Sequence, residues 1–233
     1  MVILNPENNE ETRRTPQQTV GPYVTLGLLN QEAGKDNNLL ADGGKGKELV
    51  ISGNLFASAG DPIFNVMVEI WQANADGVYN HPSEAHMPGF DADFVGFGRT
   101  ITDERGYYEF RTILPGAIAD HDHPELAQSP HIIIVVHASG VPHPLYTRVY
   151  FEDQEHNDNF LNNIPADKAK TLIAKRIEGD LEQVLYYHFD MVLEGEADEL
   201  ALETKVDGEE MADKPDGSGK PVTYFFSFDK DMI

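Results

Sequence analysis

The run His131-Ile-Ile-Ile-Val-Val-His137 is the feature that most constrains how this chain can fold. Three isoleucines and two valines in succession favour an extended backbone, because β-branched side chains fit the pleated surface of a sheet. A short continuous apolar run bounded by turn-forming residues is typical of a fully buried strand. The chain is therefore expected to hold a β-sheet with this strand in its interior.

Further short apolar segments follow one another at intervals of roughly ten residues, separated by Gly, Pro and Asp turns, which is typical of an all-β sandwich. Within 66–71, apolar and other residues alternate as they do on the two faces of one strand. The segments at 98–102 and 107–113 are predicted to form a hairpin. One helix is predicted, from Ala166 to about Ile177, so the sandwich carries one or two short helices. The other predicted strands are 49–56, 146–151, 186–193 and 222–228.

The chain is interpreted as a single domain, 1–233, with four parts. Residues 1–46 are polar, with clusters of Asn, Gly, Asp and Lys at 34–38 and 42–46, which indicates an extended N-terminal arm and loop. Residues 47–193 hold the predicted β-sandwich core. Residues 194–220 contain ten acidic and three basic residues and little apolar mass, so a mobile acidic loop is expected there. Residues 221–233 supply the predicted final strand.

The charge balance excludes several classes of function. Forty Asp and Glu residues against 17 Lys and Arg give a net charge of −23, which repels nucleic acid and anionic lipid.

No apolar run approaches the roughly 18 residues of a membrane span, and no signal peptide is recognisable, so a cytoplasmic protein is expected. The absence of cysteine removes disulfides and thiolate metal sites.

Several histidines are candidates for metal binding, each with a simpler alternative. His121 and His123 alternate with aspartates and could meet a cation, although a solvated loop explains the same pattern. His131 stands at the mouth of the apolar strand, where a hydrogen-bonded edge residue is the simpler interpretation. His137 and His143 flank a glycine turn, and nothing local fixes a role for them.

Four groups of residues, taken in chain order, resemble the signature segments of the intradiol ring-cleavage dioxygenases. They are Thr15-Pro-Gln-Gln-Thr-Val-Gly-Pro-Tyr-Val24; Val68-Glu-Ile-Trp-Gln-Ala-Asn-Ala-Asp-Gly-Val-Tyr79; Phe97-Gly-Arg-Thr100 with Thr112-Ile-Leu-Pro-Gly116; and Pro130-His-Ile132 with Tyr146-Thr-Arg-Val-Tyr-Phe-Glu-Asp153 and Thr171-Leu-Ile-Ala-Lys-Arg176. The resemblance implies a β-sandwich and, in the catalytic members of the family, a ferric ion held by two tyrosinates and two histidines.

At the four positions that the resemblance assigns to the iron ligands, this chain has only two residues that could bind iron. Tyr79 and His131 match one tyrosine and one histidine, whereas Ile118 and Ile133 occupy the other two positions. An isoleucine has no donor atom. The resemblance therefore implies vestigial ligand positions, no complete catalytic site and no iron bound by this chain alone.

Within the family, this pattern is most similar to the iron-free α subunits of the protocatechuate 3,4-dioxygenases. That likeness implies a homologous β subunit that carries Fe(III), assembly as a multimer of αβ pairs, and protocatechuate and O2 as substrates in the β-ketoadipate route of aromatic breakdown. It assigns Thr19, Gly21, Pro22 and Tyr23 to the partner's substrate pocket, against the simpler interpretation of a rigid packing arm. Ser139 departs from the pattern, because an arginine is usual there and serine lacks its charge.

Two other functions remain open from the sequence. A stand-alone intradiol enzyme would need a rearranged iron site, built from Tyr79, His131 and one of His121, His123 or His137. His137 is a poor substitute because it lies ~20 Å from His131 along an extended strand. A non-enzymatic β-sandwich binding module is the third hypothesis, and the arm motif Thr19-Val-Gly-Pro-Tyr23 argues against it.

Overall fold

The computed structural model describes residues 3–4, 11–12, 19–21, 27–29, 37–40, 43–57, 60–119, 127–177, 183–193 and 217–226. Strands dominate this part of the chain. They are β1 (Ile3–Leu4), β2 (Glu11–Thr12), β3 (Glu48–Phe56), β4 (Met67–Trp71), β5 (Phe97–Ile101), β6 (Tyr107–Ile113), β7 (Ile132–His137), β8 (Leu145–Phe151), β9 (Ile173–Ile177), β10 (Val184–His188) and β11 (Met191–Val192). Two short helices accompany them, α1 (Asn159–Asn163) and α2 (Ala166–Lys170).

Nine of the strands form one curled sheet. Eight of them follow the order β11-β3-β10-β9-β8-β7-β4-β5, and the ninth, β6, branches from this order by pairing antiparallel with β3. β1 and β2 pair separately. The two halves of the curled sheet turn their inner faces towards a shared hydrophobic core, as in a β-sandwich. That core includes Leu49 and Ile51 of β3, Ile70 of β4, Phe110 of β6 and Ile134 of β7. The all-β prediction with short helices is confirmed.

The register of β4 shows why alternation predicted its faces correctly. Val68 and Ile70 are fully buried in the core, while Glu69 and Trp71 point to the opposite, outer face of the sheet. β7 follows the same rule, because its residues alternate between buried and half-buried. The prediction of a fully buried strand at 131–137 is therefore too strong, since only one face of β7 meets the core.

The predicted helix from Ala166 to Ile177 is wrong in its second half. Helix α2 ends at Lys170, and the Thr171 hydroxyl donates to the Lys168 carbonyl at 2.7 Å. Residues 173–177 then form β9, which lies between β8 and β10. Tertiary pairing on both sides overrides the helical propensity of Ala, Lys and Arg in this segment. Helix α1 was not predicted individually; the Asp158 carboxylate caps it by accepting from the Leu161 N–H.

The predicted hairpin at 98–113 is correct in its turn but not in its pairing. Gly106 closes the turn with a positive φ of 70°, and its N–H donates to the Asp103 carbonyl. Beyond the turn the strands separate, because β5 pairs with β4 and β6 pairs with β3. The connection therefore passes from one half of the curled sheet to the other.

The C-terminal segment 217–226 lies beside β8 and β11. The Phe226 N–H donates to the Tyr146 carbonyl, and the Thr147 hydroxyl donates to the Tyr224 carbonyl at 2.8 Å. Of the final strand expected at 221–233, the described residues show a single antiparallel bridge between Tyr146 and Phe226. The acidic segment 194–216 and residues 227–233 lie outside the described residues. No helix in the described part of the chain is long and apolar enough to cross a bilayer.

Candidate functional site

Strand register brings Ile133, one of the predicted vestigial ligand positions, to the outer face of the sheet. Trp71 of β4 pairs with Phe97 of β5 on one side and with Ile133 of β7 on the other. Ile133 in turn pairs with Arg148 of β8. Paired residues share a face, so these four side chains form one row across the outer face.

Tyr79 approaches this row from a loop. The Tyr79 ring stacks on Trp71 with centroids 6.1 Å apart. Two residues earlier, Gly77 has a φ of +77°, and a Cβ there would meet the Ala117 carbonyl oxygen at 2.0 Å. Only glycine allows this approach. The loop that carries Tyr79 therefore packs directly against the segment that carries Ile118.

His131 lies one strand position before Ile132 and is 1% exposed. Its Nδ1 is 2.9 Å from the Ser129 carbonyl oxygen, so Nδ1 carries the proton and Nε2 the lone pair. Nε2 is buried without a hydrogen-bond partner. Burial first, and then the positive charge of Arg148, lower the pKa of His131 to about 4. The imidazole is therefore neutral at pH 7.

Arg148 is the cation at the centre of this region, and only 4% of it is exposed. Its guanidinium lies 4.5 Å from the centroid of the Phe160 ring and 6.0 Å from that of Phe226. Its Nη1 donates to the Tyr150 hydroxyl at 3.4 Å. Aromatic faces and a phenol oxygen thus surround the buried charge.

A chain of hydrogen bonds joins this cation to His131. The Tyr150 hydroxyl donates to Asp158 Oδ2 at 3.1 Å, and the same oxygen accepts from the Ser129 N–H at 3.1 Å. The Ser129 carbonyl accepts from His131, whose ring centroid is 5.6 Å from that of Tyr150. The network His131–Ser129–Asp158–Tyr150–Arg148 is called the outer-face cluster below.

The two remaining donors do not make a fitting site for a ferric ion. Burial raises the pKa of Tyr79 to about 12, which makes ionisation of its phenol less favourable than in water. Isoleucines stand at 118 and 133, and Arg148 adds a positive charge beside position 133. Among the residues that the structure describes, no three His, Asp or Glu side chains converge as metal ligands would. A hard trivalent cation needs anionic donors, and the described residues of this region do not supply them.

The structure describes two of the four residues that are predicted to line the partner's substrate pocket, Thr19 and Gly21. Thr19 accepts a hydrogen bond from the Gly140 N–H at 2.7 Å, which ties the arm to the turn after β7. Ser139, the position where arginine is usual, is exposed in that turn. Gly21 is exposed as well, while Pro22 and Tyr23 lie outside the described residues. The structure thus brings Thr19 beside the turn that contains Ser139.

Of the other candidate histidines, the structure describes His137 and His143, and neither contacts the predicted ligand positions among the described residues. His121 and His123 lie outside the described residues. His137 Nε2 is 2.9 Å from Glu69 Oε2, and Arg99 donates twice to the other oxygen of Glu69. Hydrogen bonds from His137 and Arg99 hold the pKa of Glu69 below its ordinary value although burial opposes them. His143 is exposed.

Sequence reasoning missed four members of the outer-face cluster: Ser129, Arg148, Tyr150 and Asp158. One signal was present, because Arg148 interrupts the otherwise uncharged segment Leu145–Phe151 of β8. An arginine within a buried strand requires compensating partners. Asp158 offered no comparable signal, since a helix cap on the surface would look the same in sequence.

Comparisons with known proteins point to one family. A family model described as Dioxygenase (Dioxygenase_C) matches residues 21–195. The chain is 32% identical to the protocatechuate 3,4-dioxygenase alpha chain of Pseudomonas putida over 196 residues, covering 79% of this chain and 93% of that relative. It is 34% identical to the protocatechuate 3,4-dioxygenase beta chain of Burkholderia cepacia over 154 residues, covering 64% of this chain and 66% of that relative.

A solved structure shows the same fold. The intradiol ring-cleavage dioxygenase from Tetranychus urticae is similar, with a TM-score of 0.52 and 20% sequence identity. The match covers 80% of this chain and 98% of that chain. The family model spans most of the chain, and the relative from Pseudomonas putida is matched over nearly its whole length. This chain therefore belongs to the intradiol ring-cleavage dioxygenase family.

Proposed function

We propose that this chain is the iron-free α subunit of a protocatechuate 3,4-dioxygenase. In this role it completes the active site of a homologous β subunit that holds Fe(III), and the pair cleaves protocatechuate with O2 to 3-carboxy-cis,cis-muconate. The observation that carries the proposal is the loss of half the ligand set, because Ile118 and Ile133 stand where tyrosine and histidine would be needed. A chain with that loss contributes to the reaction only beside a partner that retains it.

Likeness to both chains of the enzyme supports a homologous pair. The match to an alpha chain covers 93% of that relative, whereas the match to a beta chain covers 66% of that one. The greater coverage favours the α role. Two chains of one fold also pair naturally about a pseudo-twofold axis, as homologous subunits of closed oligomers do.

The anchored arm supports the same role. Thr19 is fixed to Gly140 at the turn that follows β7, and Gly21 beside it is exposed. An arm held at its base with an exposed glycine can reach a neighbouring chain. We assign Thr19, Gly21, Pro22 and Tyr23 to the substrate pocket of the partner, in line with the resemblance of this segment to the family signature.

The test is to measure oxygen uptake with protocatechuate for this chain alone and for this chain co-expressed with a candidate iron-bearing β subunit. The proposal predicts turnover in the co-expressed sample only, with both chains in one purified complex. Turnover by the isolated chain would instead support a stand-alone enzyme with a rearranged iron site. Failure to form a complex with any iron-bearing homologue would favour the non-enzymatic binding module.

A further inference from the structure

We infer that the guanidinium of Arg148 takes the place of the metal ion in this chain, so that the vestigial site is closed around an internal organic cation and excludes ferric iron. The inference concerns this chain by itself. It rests on the ligand positions 79, 118, 131 and 133 and not on the existence of a β subunit.

Register places the arginine directly opposite the position of the missing histidine ligand. Ile133 and Arg148 are direct cross-strand partners on β7 and β8 and share the outer face. Directly opposed residues have Cβ atoms about 5 Å apart. A long side chain at 148 therefore lies beside the space that a donor at 133 would use.

The guanidinium is held in this place by contacts on several sides. Phe160 packs against it from helix α1 at 4.5 Å, and Phe226 lies at 6.0 Å on the C-terminal segment. The Tyr150 hydroxyl accepts a hydrogen bond from Arg148 Nη1 and donates one to the Asp158 carboxylate. A buried charge persists only where such partners compensate for lost water. Arg148 is therefore a fixed component of the site and not a surface side chain folded over it.

One surviving donor lies close to this cation. The buried Nε2 of His131 has no hydrogen-bond partner, and the His131 ring centroid is 5.6 Å from that of Tyr150, whose hydroxyl accepts from Arg148. A ferric ion at the centre of these positions would meet a fixed positive charge at short range, and like charges in a poorly solvated site repel strongly.

The test restores the ligands with and without the arginine in the full-length chain. The double variant Ile118→Tyr/Ile133→His regains both donor types. Two triple variants add either Arg148→Met, which removes the charge at similar volume, or Arg148→Lys, which keeps it. Each protein is exposed to Fe(III), desalted, and measured for iron content and for tyrosinate-to-iron charge-transfer absorption.

The inference predicts iron and the absorption band in the Arg148→Met triple variant, and neither in the double variant nor in the Arg148→Lys control. Equal iron loading with and without the charge at 148 would overturn it. Oxygen uptake is not involved, so this result is independent of the α-subunit assay.

Arg148→Gln provides a neutral polar replacement if the methionine variant does not fold. Combined with Ile118→Tyr and Ile133→His, it should likewise take up iron and show the absorption band.

Discussion

Burial of His131 makes the stability of the fold depend on pH in a defined range. The folded-state pKa is about 4, whereas an exposed histidine has a pKa near 6.5. As pH falls from about 6.5 towards 4, the unfolded chain takes up a proton that the folded chain does not. This one residue should therefore reduce the free energy of unfolding by up to about 3 kcal/mol across that window, with no effect above it.

The measurement is the free energy of unfolding in urea at several pH values between about 7 and about 5, for the wild type and for His131→Asn. Asparagine keeps a side-chain N–H for the Ser129 carbonyl but does not titrate. The wild type should lose stability more steeply than the variant as pH falls. Parallel pH profiles for the two proteins would contradict a buried neutral imidazole at 131.

At the scale of elements, Thr19 is one of the residues that attach the N-terminal arm to the rest of the chain. The Thr19 hydroxyl accepts from the Gly140 N–H and donates to the Ala138 carbonyl. A net hydrogen bond contributes on the order of 1 kcal/mol, which corresponds to roughly fivefold in an equilibrium. In the co-assembled enzyme, Thr19→Val should raise the KM for protocatechuate by roughly fivefold while iron content stays unchanged.

Thr19→Ser is the matched control because it retains the hydroxyl and both hydrogen bonds. It should behave like the wild type. If Thr19→Val and Thr19→Ser give the same KM, the arm is only a packing element and makes no contribution to the partner's substrate pocket.

The C-terminal segment is attached to the sheet by a carboxylate. Asp190 accepts from the Asn54 N–H at 2.8 Å and from His188 at 2.9 Å, and it pairs with Lys220 at 2.8 Å. Burial alone would raise the pKa of Asp190, but these hydrogen bonds outweigh it and lower the pKa to about 2. The stabilisation is present above the unfolded-state pKa near 3.8 and is lost as pH falls towards 2.

Asp190→Asn should accordingly lower the free energy of unfolding by about 1–2 kcal/mol at neutral pH, a value reduced for the partial exposure of Lys220 and His188. The difference from the wild type should shrink as pH falls below about 4. Asp61→Asn removes an exposed carboxylate with the same change in net charge and should have little effect. A stability difference that stays constant with pH would refute the role of the ionised Asp190.

At the scale of the whole molecule, patterns within a few consecutive residues correctly predicted the positions of individual strands, because strand formation there depends on neighbouring side chains. Alternation in 66–71 and β-branched residues in 131–137 located β4 and β7, and alternation in 66–71 also gave the faces of β4. The boundary at Thr171 could not be predicted, since residues 173–177 become a strand only because β8 and β10 flank them. The outer-face cluster likewise joins Ser129, Arg148 and Asp158, which meet through strand register and a helix cap.

The family motifs predicted candidate site residues, which the periodicity of apolar residues could not do. They identified positions 79, 118, 131 and 133 as a set, although these residues are spread over 55 positions of the sequence, from 79 to 133. Tyr79, Ile133 and His131 do approach one region of the outer face, as the stacking on Trp71 and the pairing of Trp71 with Ile133 show. The motifs did not reveal the buried cation beside them, because no role attaches to Arg148 in the sequence pattern alone.

The most direct test of the account is the iron content of the purified complex between this chain and an iron-bearing β subunit. A chain with two donors and a buried arginine at its vestigial site should hold no iron, so metal analysis should find about one iron atom per pair of chains. Replacing the ligands of the β subunit should then remove all of the iron. About two iron atoms per pair, or iron that persists after that replacement, would contradict the central claim.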